Sequence, residues 1–152
     1  MKKYILWAAI GLLTFLSANG NVRSADARKL VLVTAETSNV PALSPEQVRR
    51  LYLGAAVNGD SRTVVPLRNN SDSLLREVFL QKVVYLSEPI YERALIARMV
   101  AGKGARPPVY DDKKDLLAAL RATPNAVTYL WEDTATATKG IRIVSELWVE
   151  EK

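Results

Sequence analysis

The sequence predicts a three-layer α/β domain, with helices on both faces of a mostly parallel or mixed sheet. Three observations carry this reading. Apolar runs of strand length alternate along the chain with stretches of helical periodicity. The first run, Leu30-Val31-Leu32-Val33, has no polar interruption, as expected of a strand covered on both faces. Helix-start and helix-stop residues also fall where the periodicity changes.

The N-terminus comes before this domain. Lys2-Lys3 and the apolar run Tyr4 to Ser17 have the form of a secretory signal, and Ala25-Asp26-Ala27 supplies small residues for cleavage after Ala27. The apolar run is shorter than the roughly 20 residues of a membrane-spanning helix. The reading is a removed signal peptide over residues 1–27, a domain over 28–152, and a periplasmic, bacterial protein.

Ser44-Pro45-Glu46-Gln47 reads as a helix start with a capping box, and Val48, Leu51 and Tyr52 as its apolar face, ending at Gly54. Arg49 and Arg50 are expected on the solvated side. Asn58-Gly59 signals a turn. Val64 to Leu67 is the second strand, and a helix runs from Ser73 to about Leu86. Ser87-Glu88-Pro89 opens another, with Ile90, Ala94, Ala97 and Ala101 expected on one face and Tyr91 and Leu95 beside it. Asp111-Asp112 starts a helix that buries Leu116, Leu117 and Leu120. Ala126 to Trp131 and Ile141 to Val144 are the remaining strands, joined by a Thr/Ala-rich connection.

Composition narrows the chemistry. The 152 residues include no cysteine and no histidine, so thiolate chemistry and the commonest general base are both unavailable. Beyond Ala27 the chain holds 18 basic and 15 acidic residues, spread without a Lys/Arg run, which argues against a nucleic-acid partner. Asp111, Asp112 and Asp115 suit a first helical turn better than a metal site, and Gly102-Lys103-Gly104 follows a helix, so it reads as a C-cap and not a phosphate loop. Ser71 and Ser73 have no base partner of a recognised spacing. No catalytic residue, cofactor or metal is expected.

One stretch does suggest binding. Arg68, Ser71, Asp72 and Ser73 lie where a strand passes through a polar turn into a helix, so unpaired N–H groups, hydroxyls and a guanidinium converge on one place. A small oxyanion would suit such a turn, and Asp72 could accept the proton of a protonated one. Helix capping is the commoner use of the same residues and stays open beside it.

Four passages in order resemble phosphate-binding proteins, the type II periplasmic substrate-binding subunits of phosphate ABC transporters. They are Leu43 to Gly54 after the first strand, Val64-Val65-Pro66-Leu67-Arg68 with Ser71-Asp72-Ser73 and Phe79, Val100 to Gly104 with Pro107-Pro108, and Pro124 to Tyr129. The resemblance implies one lobe of that fold, a non-enzymatic role, and inorganic phosphate or a similar oxyanion at Arg68, Ser71, Asp72 and Ser73. The family's Gly and Thr after the serine are missing here, Thr128 replaces a glycine, and Val100 replaces an aromatic. A single lobe supplies half a site, which leaves room for a homodimer or for a membrane transporter or sensor as partner. An interaction module without a small ligand is the alternative.

Mass spectrometry of the protein exported from the full coding sequence is expected to find Arg28 at the N-terminus. An intact Met1 to Lys152 chain would overturn the cleavage site.

Overall fold

The computed structural model describes residues 27–59 and 62–151. The expected signal peptide, apart from Ala27, lies outside them. The elements run β1 (Lys29–Ala35), α1 (Pro45–Tyr52), β2 (Asn58–Gly59), β3 (Arg62–Thr63), β4 (Val65–Pro66), β5 (Arg68–Asn69), α2 (Ser73–Phe79), α3 (Glu88–Val100), β6 (Val109–Tyr110), α4 (Lys113–Ala122), β7 (Ala126–Trp131), α5 (Glu132–Ala137) and β8 (Ile141–Val149). A π-helical turn, Leu80–Val84, extends α2.

β1 lies inside a four-stranded sheet of order β4-β7-β1-β8. Side chains alternate across a strand, and the two sets go to different cores. Leu30 and Leu32 of β1, with Val127 and Tyr129 of β7, face a cluster that includes Tyr52, Phe79 and Leu95, under α1, α2 and α3. Val31 and Val33, with Ala126 and Leu130, face Leu116, Leu120 and Ala135 of α4 and α5. The three layers follow from this division.

The sheet is mixed, the second of the two expected arrangements. β4 pairs with β7 in parallel, whereas β1 is antiparallel to both β7 and β8. An uninterrupted apolar run reports cover on both faces, and it carries no information on strand direction. At one edge the chain enters and leaves side by side: the Glu150 N–H donates to the Arg28 carbonyl at 2.8 Å.

Local signals account for most helix ends. Ser44 Oγ accepts from the Gln47 N–H at 3.2 Å while Gln47 Oε1 accepts from the Ser44 N–H at 2.8 Å, the reciprocal capping box. Asp112 caps α4 through the N–H groups of Lys114 and Asp115. Gly54 and Gly102 follow α1 and α3 with φ of 86° and 67°, which glycine adopts without strain.

Five expectations change. The Thr/Ala-rich connection contains α5, whose six residues are too few for a periodic signal. The helix expected to Leu86 loosens into the π turn and ends at Tyr85, held at φ 60°. Asn58-Gly59 is a strand pairing with β3 and not the turn itself. Arg49 is half-buried, its Nε donating to the Val84 carbonyl at 2.9 Å and its guanidinium 5.6 Å from the Tyr85 ring centre. α3 buries Tyr91 and Leu95, leaving Ile90, Ala97 and Ala101 exposed, because the Tyr91 hydroxyl anchors the helix on the Tyr52 carbonyl at 2.8 Å.

Tyr52, Phe79 and Tyr129 centre the larger core; the Phe79 and Tyr129 rings stack 3.7 Å apart, and Tyr52 meets both edge-on. Burial, the largest cause, raises the Tyr52, Tyr91 and Tyr129 phenols well above their ordinary value. The folded state therefore holds these protons after the unfolded chain releases them at about pH 10. Their contribution is complete below that pH and fades above it. The urea midpoint is expected to fall as pH rises beyond about 10, and a flat profile would overturn the assignment. Leu32→Ala, at a fully buried position in β1, is expected to cost about 2–5 kcal/mol in urea unfolding.

Candidate functional site

The turn from β5 into α2 is built around Asn69, which is 1% exposed. Its N–H donates to the Tyr129 hydroxyl at 3.2 Å, and that hydroxyl donates back to the Asn69 carbonyl at 3.0 Å. Its side-chain amide donates to the Tyr129 carbonyl at 3.1 Å, while Oδ1 accepts from the Ser71 N–H and hydroxyl at 3.0 and 2.7 Å. An Asn that bonds backbone two residues on is a local turn-former. Sequence reading missed it as the organiser, although an Asn beside an Arg at a strand end was the available signal.

Arg68 and the serines leave this turn in different directions. β5 runs parallel to β6, with the Arg68 N–H on the Pro108 carbonyl at 2.8 Å. The Arg68 side chain, 6% exposed, turns towards α3. Its Nε donates to the Pro107 carbonyl at 3.0 Å, its Nη1 meets Glu92 Oε1 at 2.6 Å, and it lies 5.9 Å from the Tyr91 ring centre. The other oxygen of Glu92 pairs with Arg106. Arg76 bonds the Asn70 side chain and lies 3.3 Å from Glu88.

These groups surround a cavity of about 160 Å³, lined by Arg68, Asn69, Asn70, Arg76, Glu92 and Arg106 among others. Three guanidinium groups meet two carboxylates there, Glu88 and Glu92, leaving one positive charge in excess. The raised phenols of Tyr91 and Tyr129 also line it, neutral and unable to act as bases near neutral pH. Donors predominate, so the chemistry on offer is anion binding.

Ser71 and Asp72 open to the other side. With Asn69, Lys113, Trp131 and Thr134 they line a separate cavity of about 210 Å³. Asp72 caps α2, accepting from the Leu75 N–H at 3.0 Å, and its second oxygen accepts from the Trp131 indole N–H at 3.1 Å. Both its oxygens are thus in use. Asp72 and Trp131 continue into a larger hollow of about 680 Å³ that also involves Arg28, Lys29 and Asp133. Ser73, the first residue of α2, is exposed and lines neither smaller cavity. The four residues expected to act together are therefore split by the Asn69 turn, with Arg68 joined instead by Glu92, Arg76 and Arg106. Among the described residues no cluster of His, Cys, Asp or Glu could hold a metal ion, and no helix is long and apolar enough to cross a membrane.

No family model and no curated protein matches the chain. Solved structures do. An ABC-type phosphate transport receptor from Vibrio cholerae is similar with a TM-score of 0.55 at 14% identity, over 79% of this chain and 46% of that one. A putative phosphate ABC transporter substrate-binding protein with bound phosphate from Clostridium perfringens gives 0.56 at 16% identity, over 79% and 45%. PstS from Borrelia burgdorferi gives 0.56 at 14%, over 79% and 47%. The chain spans less than half the length of these proteins. At such identities the likeness is one of fold: the chain has the mixed α/β architecture of the periplasmic substrate-binding proteins.

Proposed function

We propose that the chain is an exported, non-enzymatic binding lobe whose cavity at Arg68 takes inorganic phosphate or a similar small oxyanion. The observation that carries this is the convergence of Arg68, Arg76 and Arg106 on one small cavity with positive charge in excess. Guanidinium groups bind oxyanions through paired, charge-assisted hydrogen bonds, and Asn69 and Asn70 supply further polar groups. The shared fold with phosphate transport receptors supports the same ligand class. An entering anion competes with Glu92 for Arg68 and Arg106, so the affinity is modest. Export rests on the signal-like residues 1–27, and a membrane transporter would be the downstream partner.

The second reading is an interaction module with no small ligand, docking on a membrane transporter or sensor. It draws on the internal pairing of the cavity charges, Arg68 and Arg106 with Glu92 and Arg76 with Glu88, which gives each guanidinium a carboxylate partner without an anion.

Thermal unfolding in phosphate, arsenate, sulfate and citrate separates the two. An anion at a hundredfold excess over Kd is expected to add about 2.7 kcal/mol, a shift of several degrees. Arg106→Gln, at a partly exposed position, is expected to weaken binding by about tenfold or more through a lost charged hydrogen bond. Ser71→Ala should leave it unchanged. Loss with Ser71→Ala alone would move the site across the turn, and no shift at millimolar anion would sink the binding reading.

A further inference from the structure

The loop that joins α3 to β6 borders the Arg68 cavity. Its Arg106 lines the cavity and pairs with Glu92, and its Pro107 carbonyl accepts from Arg68 Nε at 3.0 Å. The Pro108 carbonyl accepts from the Arg68 N–H at 2.8 Å. Residues 101–106 are exposed, so packing does little to hold them. Gly102 and Gly104 add backbone freedom that is costly to order. The fixed point is Arg98, in the last turn of α3. Its Nη2 donates to the Gly54 carbonyl at 3.3 Å and to the Lys103 carbonyl at 3.1 Å, joining the end of α1 to the loop. A cation there also faces the negative ends of both helices. Gly104, at φ 145°, packs so close to this joint that a Cβ would stand 2.9 Å from the Gly54 carbonyl oxygen.

The joint is not fully bonded. Among the described residues, Arg98 Nε is the one buried side-chain polar atom without a hydrogen-bond partner. An unpaired buried N–H costs about as much as a hydrogen bond contributes, so the loop is held with little to spare. We propose that Arg98 is a positioning residue for the oxyanion site. It latches the loop as a strap, and release of the latch carries Arg106 away from Glu92 and the cavity. This role rests on the oxyanion reading of the cavity. Arg98 does not line the cavity, so it acts there only through the loop. Coupling is reciprocal, and an anion held by Arg106 holds the strap shut.

Limited trypsin digestion of the exported protein, expressed from its full coding sequence, reads the strap as the rate of cutting after Lys103. That rate follows the population of the open loop. Calorimetric titration with inorganic phosphate reads the site. Arg98→Gln is expected to raise the cutting rate and to weaken phosphate binding, each by about tenfold, through its lost charged hydrogen bonds. Gly104→Ala forces the joint apart without altering Arg98; it should act in the same direction, and it decides the matter should Arg98→Gln not fold. Arg93→Gln removes an exposed charge from the same helix and should change neither quantity. Saturating phosphate should slow the cutting in the unaltered protein. An unchanged cutting rate in the folded variants, faster cutting with undiminished phosphate affinity, or no protection by phosphate would each overturn the proposal. If the unaltered protein binds no phosphate, the oxyanion reading falls and the positioning role with it, while the cutting rate still shows whether Arg98 latches the loop.

Discussion

The reciprocal hydrogen bonding between Asn69 and Tyr129 holds this lobe's site to its sheet. A strand end and a helix start have little reason to stay in register with a strand 60 residues away. The Tyr129 hydroxyl, donor and acceptor at once, ties the Asn69 backbone to β7, and the amide bond to the Tyr129 carbonyl repeats the connection. The same ring stacks on Phe79, so α2 is fixed by its packing as well as by its cap. Buried polar groups are costly unless satisfied, and each of these satisfies another. The two cavities, and the residues that reach each, depend on where this clamp puts the turn.

Beside the clamp, charge is handled differently. Arg68 is buried, and a buried guanidinium with no carboxylate would be strongly unfavourable. Glu92 answers it, and shares its second oxygen with the partly exposed Arg106. A ladder of alternating charge thus leads from the interior outwards, ending in a cation. Such a pair is weak evidence for stability, since apolar residues of similar shape do as well in many proteins. Here both oxygens of Glu92 are taken up by the two guanidinium groups, so the pair is also fully hydrogen-bonded on its carboxylate side.

Much of the fold was legible because its signals are local. Ser44 with Gln47 and Asp112 before Leu116 are patterns within one turn of chain, and the structure uses them as caps. The buried runs of β1 and β7 were equally plain, though their relative direction was not. Within the site, Arg68 and Asp72 are four residues apart and were read as one cluster. The distinction between them is tertiary: Pro107 and Glu92 draw Arg68 to one side, and Trp131 draws Asp72 to the other. Nothing in a local window announces those partners. α3 is ambiguous for a related reason, because its apolar residues and its four charges, Glu88, Glu92, Arg93 and Arg98, are spread around the helix and leave no clear periodicity to mark its inner face.

The paired ends of β1 and β8 have a consequence for how such a lobe is carried. Arg28 and Glu150 lie hydrogen-bonded beside each other, so the two ends of the described fold sit together at one place on the sheet. A unit attached in this way can be set into a loop of a larger protein without disturbing its own core, as domain insertions generally require. Arg28, at the start of this pairing, lies with its guanidinium 5.8 Å from the Trp131 ring centre, and both residues border the large hollow.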